Sequence, residues 1–286
     1  MLLAAETIDR VVRTALAEDA PSGDLTTAAF VDEQATADAA LVAREPGVFS
    51  GAAVFAAAMT ALDAAVEVTV RVEEGVRFDA GTTLAEVTGP ARPILTCERT
   101  ALNLVQRMSG IAAATAAHVE AVAGTGARIV DTRKTTPGLR ALERHAVRCG
   151  GGHNHRAGLS DAVMAKDNHL ALIDDLAAAV AAAKERLPHT THLEVEVDRL
   201  EQIEPALVGG ADTIMLDNFT PAELRRGVER IAGRAVVEAS GGVTLESVRA
   251  IAETGVDVIS VGALTHGSRA LDLGLDMTMT SPGGAA

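Results

Sequence analysis

Several residue types are scarce in this 286-residue chain, and each scarcity excludes a class of protein. The chain has no Trp, no Tyr and only 5 Phe, so it lacks the aromatic platforms on which proteins stack single-stranded bases. Two cysteines, Cys97 and Cys149, cannot form a disulfide framework, which favours a reducing compartment. The 25 Lys and Arg face 39 Asp and Glu, and the net charge of −14 disfavours binding to nucleic acid or to an anionic membrane.

Long apolar segments are also missing. The longest uncharged segment, residues 46–62, has 17 residues diluted by Gly, Ser and Ala, whereas a membrane-spanning helix needs about 20 strongly apolar residues. The N-terminus carries Glu6 and Asp9 but no basic residue before Arg10, which is not the pattern of a signal peptide. We therefore expect a soluble cytoplasmic protein, long enough for two modest domains or for one barrel with an additional domain.

The first third of the chain predicts a small α+β unit. Runs of alternating apolar and polar residues, such as residues 66–72, end at turn formers such as Gly75 and predict antiparallel strands. Helical spacing predicts a helix behind Thr7 as its N-cap. An Ala-rich helix is expected at residues 52–62, and a long helix at roughly 93–122.

Beyond residue 126, short β-like runs alternate with helical segments, which is typical of βα units around a parallel sheet. The runs cover residues 127–131, 162–166, 192–197, 212–217, 235–240 and 257–262. A further strand is expected within residues 151–156, and no GxGxxG motif follows the first run. The fold class is therefore α/β, and closure into a barrel is favoured over an open doubly wound sheet.

Charged or small residues follow these runs at the point where each run ends. Because the C-terminal strand ends form the active-site face of a βα barrel, their side chains should converge on one cavity. The residues concerned are Lys134, Lys166, Glu196, Asp217, Ser240 and Gly262. Lys166 follows four apolar residues, which favours a buried and functional lysine. Glu194 lies two residues before Glu196, hence on the same strand face, and remains an alternative to it.

Residues 131–169 form a cationic island in this acidic chain. They hold seven Lys and Arg against four Asp and Glu, and four of the 8 His. Such an island predicts a site for a small polyanion, because Arg binds carboxylates and phosphates bidentately and Lys acts as a point charge. The Gly-rich segments 240–242 and 261–263 are expected to open onto helices and to offer N–H groups to phosphate. Glu196 and Asp217 suit Mg²⁺.

Structural roles compete with these functional ones. His153 and His155 are disfavoured as zinc ligands, because we expect no other His or Cys pair to complete such a site. Asp217 could merely cap the next helix, although Thr220 is the better cap. Cys149, like the other cysteine, is expected to be a small buried apolar residue.

Motifs along nearly the whole chain resemble the quinolinate phosphoribosyltransferase family. The longest is DTRKTTPGLRALERHAVRCGGGHNHRAGLSDAVMAKDNHL at residues 131–170. Further matches are ERTALN at 98–103, EVEVD at 194–198, LDNF at 216–219, EASGG at 238–242 and VGALTH at 261–266. The resemblance implies an N-terminal α/β sandwich domain at residues 1–107, an open seven-stranded TIM-like α/β barrel at 108–278 and a tail at 279–286.

The resemblance also implies a reaction, in which quinolinate and 5-phosphoribosyl 1-pyrophosphate give nicotinate mononucleotide, pyrophosphate and CO₂ in NAD biosynthesis, with Mg²⁺. It implies a homodimer in which the N-terminal part of one subunit helps to close the barrel mouth of the other. Arg133, His155 and Arg156 would hold the quinolinate carboxylates, helped by Arg99 from the neighbouring subunit, and Thr132 would join this substrate site.

The family pattern assigns the remaining roles to the strand ends. Lys134 and Lys166 would contact the anionic groups of both substrates, and Glu196 and Asp217 would hold the metal and the ribose. The 5-phosphate site would comprise Ser240, Gly241, Gly242, Val261, Gly262 and Ala263, with His266 nearby. Gly267 departs from the family pattern, which usually has serine there.

Three alternatives remain. The chain could be a paralogue with another substrate, such as the molybdenum-transport-associated relatives of this family, a Schiff-base lyase that uses Lys166, or a non-catalytic binding protein on the same fold. The set Arg99, Arg133 and Arg156 favours quinolinate, because it suits two carboxylates.

Overall fold

A computed structural model describes residues 3–280, and the chain divides there into two units. Within the described residues, the first unit takes in 3–116, 135–151 and 268–280, and the second takes in Ala117–Lys134 and Gly152–Gly267. Residues 108–116, 135–151 and 268–278, which the expected domain bounds assign to the barrel, belong to the first unit in this division. Of the expected tail, residues 281–286 lie outside the described residues.

The first unit contains the antiparallel strands that the sequence predicts. Its strands are β1 (Thr36–Ala43), β2 (Gly47–Val48), β3 (Glu67–Val70), β4 (Arg77–Phe78), β5 (Thr83–Pro90) and β12 (Leu273–Thr280). One antiparallel sheet has the order β12-β1-β5-β3, and β2 pairs with β4. Along β1, Ala37, Ala39, Leu41 and Ala43 are buried, as the two-residue period of a strand with one covered face requires.

Helices accompany these strands along the chain. They are α1 (Ala5–Asp19), α2 (Leu25–Phe30), α3 (Ala52–Met59), α4 (Ala91–Ala121) and α5 (Arg140–Cys149). The predicted N-cap at Thr7 is wrong, because α1 begins at Ala5 and Ala4 occupies the N-cap position without a side-chain hydrogen bond. Burial of Ile8 and Leu16 on one face stabilises this helix without a cap.

A buried ion pair joins α4 and α5 inside the first unit. Glu143 is 1 % exposed, and its Oε1 accepts hydrogen bonds from Nη2 and Nε of Arg107 at 2.9 and 3.1 Å. The N–H of Thr136 donates to the other carboxylate oxygen at 3.1 Å. The carboxylate is therefore compensated by one cation and by hydrogen bonds from the protein, which a buried charge requires.

The Arg107→Ala variant should lose about 3–5 kcal/mol of unfolding free energy, because it leaves the Glu143 carboxylate buried without its cation. Urea denaturation followed by circular dichroism measures the loss. The control is Arg13→Ala, which breaks an exposed pair with Asp9 and should cost well under 1 kcal/mol. Similar losses in the two variants would contradict the role of Arg107.

The second unit is the predicted α/β barrel. Its strands are β6 (Arg128–Val130), β7 (Val163–Ala165), β8 (Leu193–Val197), β9 (Thr213–Asp217), β10 (Val236–Ser240) and β11 (Val258–Ser260). They pair in parallel in the order β6-β11-β10-β9-β8-β7, so the first strand lies beside the last. The strand expected within residues 151–156 is reduced to one parallel bridge between His153 and Val130, next to β6. The barrel is thus open between this bridge and β7.

Helices follow the strands of this unit. They are α6 (Asp167–Leu170), α7 (Leu176–Arg186), α8 (Ile203–Val208), α9 (Pro221–Ile231), α10 (Val248–Ala252) and α11 (Ala263–His266), with a 3-10 helix at Leu200–Gln202. Thr220 caps α9, as expected: its Oγ1 accepts the Glu223 N–H, and the Glu223 carboxylate accepts the Thr220 N–H at 2.9 Å. Asp217 is therefore not the cap. Among residues 3–280, no helix has the length and apolarity needed to cross a bilayer.

Candidate active site

One cavity of about 570 Å³ lies at the C-terminal ends of the barrel strands. The predicted residues that line it are Thr132, Arg133, Lys134, His155, Arg156, Lys166, Glu196, Asp217 and Ser240. They reach it from the ends of β6, β7, β9 and β10, from β8, and from the segment after the His153 bridge. The structure therefore brings together on one face the cations and acids that the sequence analysis expects to converge.

The second Gly-rich segment lies beside this cavity and contacts Lys134. Val261 is buried and His266 is exposed. A Cβ at Gly262 would lie 3.0 Å from Lys134 Cδ and 3.2 Å from His266 Nε2, so the glycine allows these two side chains to approach the backbone. The Lys134 carbonyl accepts a hydrogen bond from Thr265 Oγ1 at 2.7 Å, which fixes the same corner. Helix α11 starts at Ala263, as expected.

The first Gly-rich segment differs from its prediction. Helix α10 begins only at Val248, so residues 240–242 do not open directly onto a helix. Gly241 has φ +93°, a conformation that favours glycine, and a Cβ there would lie 2.2 Å from Asn218 Oδ1. The chain thus turns sharply against the end of β9 before it enters the helix. Phosphate binding at Gly241 and Gly242 stays a prediction.

Lysine usage is a sequence signal that points to the same cavity. The chain has only three lysines, against 25 − 3 = 22 arginines, and two of the three, Lys134 and Lys166, line the cavity. The third, Lys184, forms an ion pair with Asp212 at 2.5 Å. A chain that otherwise uses arginine as its cation keeps lysine where a compact ammonium group has a specific task.

The expectation that Lys166 is buried is wrong. The residue is exposed, because it follows β7, the strand that borders the opening of the barrel. The apolar run before it, residues 162–165, is only half-buried. The backbone N–H of Lys166 donates to His169 Nδ1 at 3.2 Å, which holds the start of α6 beside the cavity. The Lys166 side chain is therefore accessible from solvent rather than enclosed in the interior.

Two arginines form the cationic wall of the cavity. Arg156 is half-buried, and burial together with the nearby charge of Arg133 lowers the pKa of its guanidinium group. Nη1 of Arg156 donates to the Ala162 carbonyl at 3.0 Å, which sets the direction of the side chain. A bound dicarboxylate would relieve the repulsion between the two guanidinium groups.

Two carboxylates form the opposite part of the site. Glu196 is half-buried, and this burial is the main cause that raises the pKa of its carboxyl group. The charge of Asp217 raises the pKa further, while the charge of Lys166 lowers it. Asp217 accepts a hydrogen bond from Asn218 Nδ2 at 2.6 Å. Two carboxylates that repel each other at the mouth of an anion site fit a hard divalent cation, which would relieve the repulsion.

Glu194, the alternative to Glu196, lies in a buried cluster below the cavity that the sequence analysis did not identify. Glu194 and Glu238 are each 4 % exposed. His155 Nε2 lies 3.1 Å from Glu194 Oε2 and 3.6 Å from Glu238 Oε1. Burial opposes protonation of His155, but the two glutamates outweigh it and raise its pKa. Strand parity could have revealed the cluster, because Glu238 shares a strand face with Ser240.

Asp131 is a second residue whose role the sequence analysis missed. It is fully buried, and its carboxylate accepts hydrogen bonds from Asn154 Nδ2 at 2.5 Å and from the His155 N–H at 2.8 Å. These bonds fix the segment that carries His155 and Arg156 to the end of β6. Asp131 therefore positions two of the residues that line the cavity.

The Glu238→Gln variant should become more stable than the unchanged protein as the pH rises. Burial and the neighbouring Glu194 charge raise the pKa of Glu238, so the folded state holds this proton more tightly than the unfolded chain does. The stability linked to this proton is complete below the ordinary carboxyl pKa and is lost as the pH rises through the raised value. Glutamine cannot ionise. The thermal midpoint of the variant, relative to that of the unchanged protein, should therefore increase from acidic to mildly alkaline buffer.

Calorimetry of both proteins across this pH range measures the effect. The control is Glu229→Gln at an exposed position of α9, which makes the same chemical change outside the buried cluster. An advantage of Glu238→Gln that shrinks as the pH rises would show that the carboxyl group is not held protonated.

Comparisons with known proteins agree with this geometry. The family model "Quinolinate phosphoribosyl transferase, N-terminal domain" matches residues 24–109, and its C-terminal counterpart matches residues 111–276. The chain is 46% identical over 275 residues to a nicotinate-nucleotide pyrophosphorylase [carboxylating] from Mycobacterium leprae, covering 93% of this chain and 95% of the relative. It is 42% identical to a probable enzyme of that name from Bacillus subtilis, covering 92% and 91%. The crystal structure of NadC from Streptococcus pyogenes superimposes with a TM-score of 0.94 at 40% identity, covering 98% and 100%.

Proposed function

The chain belongs to the quinolinate phosphoribosyltransferase family, and from this premise we propose that it joins quinolinate to 5-phosphoribosyl 1-pyrophosphate with loss of CO₂. The products are nicotinate mononucleotide and pyrophosphate, so the enzyme serves NAD biosynthesis. The observation that carries the proposal is the convergence of two arginines, two lysines and two acids on one barrel cavity of an acidic chain.

Charge explains why this cavity suits these substrates. Quinolinate is a dianion and the phosphoribosyl donor carries still more negative charge, so the two repel each other. Arg133 and Arg156 offer planar donor forks to the carboxylates, while Lys134 and Lys166 supply point charges for phosphate groups. Holding both substrates in reacting geometry is then a large part of the catalysis.

The reaction proceeds in two bond-breaking steps. The pyridine nitrogen forms a bond to C1 of the ribose as the C–O bond to pyrophosphate breaks, and Lys134 and Lys166 stabilise the charge that develops on the leaving group. The bond between C2 of the ring and its carboxylate then breaks. The electron pair left on C2 is stabilised by the adjacent pyridinium nitrogen and takes a proton from water.

Glu196 and Asp217 would hold Mg²⁺, because their carboxylates at the mouth of the cavity are the ligand type that this ion prefers. When bound, the ion supplies positive charge to the phosphate oxygens of the donor. Ser240, with Gly241 and Gly242, and Gly262, with Val261 and Ala263, would receive the 5-phosphate. His266 lies against Gly262 at this corner.

The substrate site is proposed to be shared between the two subunits of a homodimer. Arg99 is exposed on α4 in the first unit, where it can be presented to a second copy of the chain. It would add a third guanidinium group to the quinolinate carboxylates of the partner's barrel. A cytoplasmic location stays a prediction.

Mixing two inactive variants tests this sharing. Arg99→Ala alone and Lys166→Ala alone should each have low activity, because every site lacks one cation. Mixed dimers form some sites with both cations intact, so up to about a quarter of the normal specific activity should return. Unfolding and refolding the two variants together gives the mixed dimers, and each variant refolded alone is the control. If the mixture has no more specific activity than the separately refolded variants, the proposal of a shared site is wrong.

Release of labelled CO₂ tests the function directly. Quinolinate labelled in its 2-carboxylate should give labelled CO₂ and nicotinate mononucleotide only when the phosphoribosyl donor is present. Label in the 3-carboxylate should stay in the nucleotide. Nicotinate in place of quinolinate should give no nucleotide. Release that does not depend on the donor, or transfer to nicotinate alone, would refute the proposal.

A further inference from the structure

A second cluster of polar side chains lies in the first unit and shares no member with the candidate active site. His145 Nε2 is 2.7 Å from Glu74 Oε2 and 3.4 Å from Cys149 Sγ, and the sulfur is 4.0 Å from the same carboxylate oxygen. All three side chains are half-buried. One nitrogen, one oxygen and one sulfur therefore face a common point that solvent can reach.

The fold places each member of this cluster. His145 and Cys149 stand four residues apart on α5 and hence on one face of the helix. Glu74 is held by its other oxygen, Oε1, which accepts the N–H groups of Gly51 and Ala52 at 2.7 and 2.8 Å. Hydrogen bonds of this kind orient the ligands of metal sites in proteins.

A glycine lets the Glu74 segment lie on the end of α5. Gly75 has φ +80°, and a Cβ at this position would lie 3.1 Å from the carbonyl oxygen of Cys149. A larger residue would push the segment off the helix and carry Glu74 away from His145. The cluster can therefore form only because the backbone at Gly75 lies against the backbone at Cys149.

The spacing of the three atoms is close to that of a tetrahedral metal site. With bonds of about 2.0 Å to nitrogen and oxygen and about 2.3 Å to sulfur, the ligands of Zn²⁺ lie about 3.3–3.6 Å apart. The Nε2–Sγ distance between His145 and Cys149 already falls in this range. The Glu74–His145 distance would lengthen, and the Glu74–Cys149 distance would shorten, by roughly half an ångström each.

We propose that Glu74, His145 and Cys149 bind one divalent ion of the zinc class, with water in the fourth position. Thiolate, imidazole and carboxylate together select Zn²⁺ and Co²⁺ over Mg²⁺, which prefers oxygen ligands. The ion would tie the segment after β3 to α5 within the first unit. This site shares no residue with the Mg²⁺ site proposed at the barrel cavity, whose lining contains no cysteine.

Without a metal, the same atoms form a hydrogen-bonded cluster. Contacts with Cys149 and Glu74 raise the pKa of His145 to about 10. Burial opposes ionisation of Glu74, but the pairing with His145 lowers its pKa.

Cobalt absorption tests the proposal on the whole chain. One equivalent of Co²⁺ added to chelator-treated protein should produce a near-ultraviolet thiolate-to-cobalt charge-transfer band and the intense visible bands of four-coordinate Co²⁺. Zn²⁺ should displace both. Co²⁺ bound at the carboxylates of the barrel cavity would give no thiolate charge-transfer band, because no cysteine lines that cavity.

Matched variants assign the band to its ligands. Cys149→Ala should abolish the charge-transfer band. Cys97→Ala should keep the band, because Cys97 is fully buried on α4 and is not a member of the cluster. Glu74→Gln keeps an oxygen for the N–H groups of Gly51 and Ala52 and should weaken Co²⁺ binding at least about tenfold. Circular dichroism checks that each variant is folded. A missing band in the unchanged protein, or a band that survives in Cys149→Ala, would overturn the proposal.

Discussion

The Lys166→Ala variant is expected to lose at least about 100-fold in kcat while it keeps its fold, and Lys134→Ala should lose a similar factor. Both ammonium groups line the cavity, where they would stabilise charge on the departing pyrophosphate. Both side chains are exposed, so alanine leaves no buried cavity and exposes no unpaired buried group. The backbone carbonyl of Lys134, which accepts the Thr265 hydroxyl, is kept in the alanine variant.

Single-turnover and steady-state measurements of nucleotide formation separate this loss from weaker binding. Lys184→Ala is the matched control, because it removes the remaining lysine of the chain. Its partner Asp212 precedes the N-terminal end of β9, and neither residue lines the cavity. Near-normal kcat in Lys134→Ala or in Lys166→Ala would count against its assigned role. Trapping of a substrate on Lys166 by borohydride would instead support a Schiff-base mechanism.

The Arg156→Ala variant should lose about 100-fold or more in kcat/KM for quinolinate, because a half-buried guanidinium group that pairs with a carboxylate contributes several kcal/mol. KM for the phosphoribosyl donor should change little. Arg156→Lys should recover only a small part of the loss, because an ammonium group cannot offer the planar fork. An effect on quinolinate without an effect on the KM for the phosphoribosyl donor indicates a lost contact to a carboxylate. General disruption of the site would raise the KM values of both substrates.

Arg225→Ala is the control for this variant, because Arg225 is exposed on α9 and does not line the cavity. Circular dichroism and the thermal midpoint show whether loss of the hydrogen bond from Arg156 to the Ala162 carbonyl disturbs the fold. A stable Arg156→Ala variant with normal KM for quinolinate would move the carboxylate site elsewhere in the cavity.

Local pattern predicted the barrel well because each of its elements carries its own signal. The helix whose cap is expected at Thr220 is α9, since Thr220, Pro221 and Glu223 specify its start through side chains that are close in sequence. The strand ends at Lys166, Asp217 and Ser240 were located because parallel strands place their C-terminal ends on one face.

Contacts between distant residues explain what the sequence did not reveal. Cys149 was expected to be a buried apolar residue, but it is half-buried beside Glu74, which is 75 residues away, and no periodicity reports that distance. The burial of Glu194 and Glu238 likewise depends on β8, β9 and β10, which pair only once the barrel has folded. Lys166 was misjudged because an apolar run indicates a strand without showing that the strand lies at the barrel's opening.

The pairing of β12 with β1 has a consequence for biosynthesis. On the ribosome, β1 emerges early, but the neighbour that covers one of its edges is translated about 230 residues later, after the whole second unit. Throughout elongation, the nascent first unit therefore presents an open strand edge, the kind of surface that invites aggregation. The barrel can mature before that edge is covered, and chaperone dependence should be greatest just before the last strand leaves the exit tunnel.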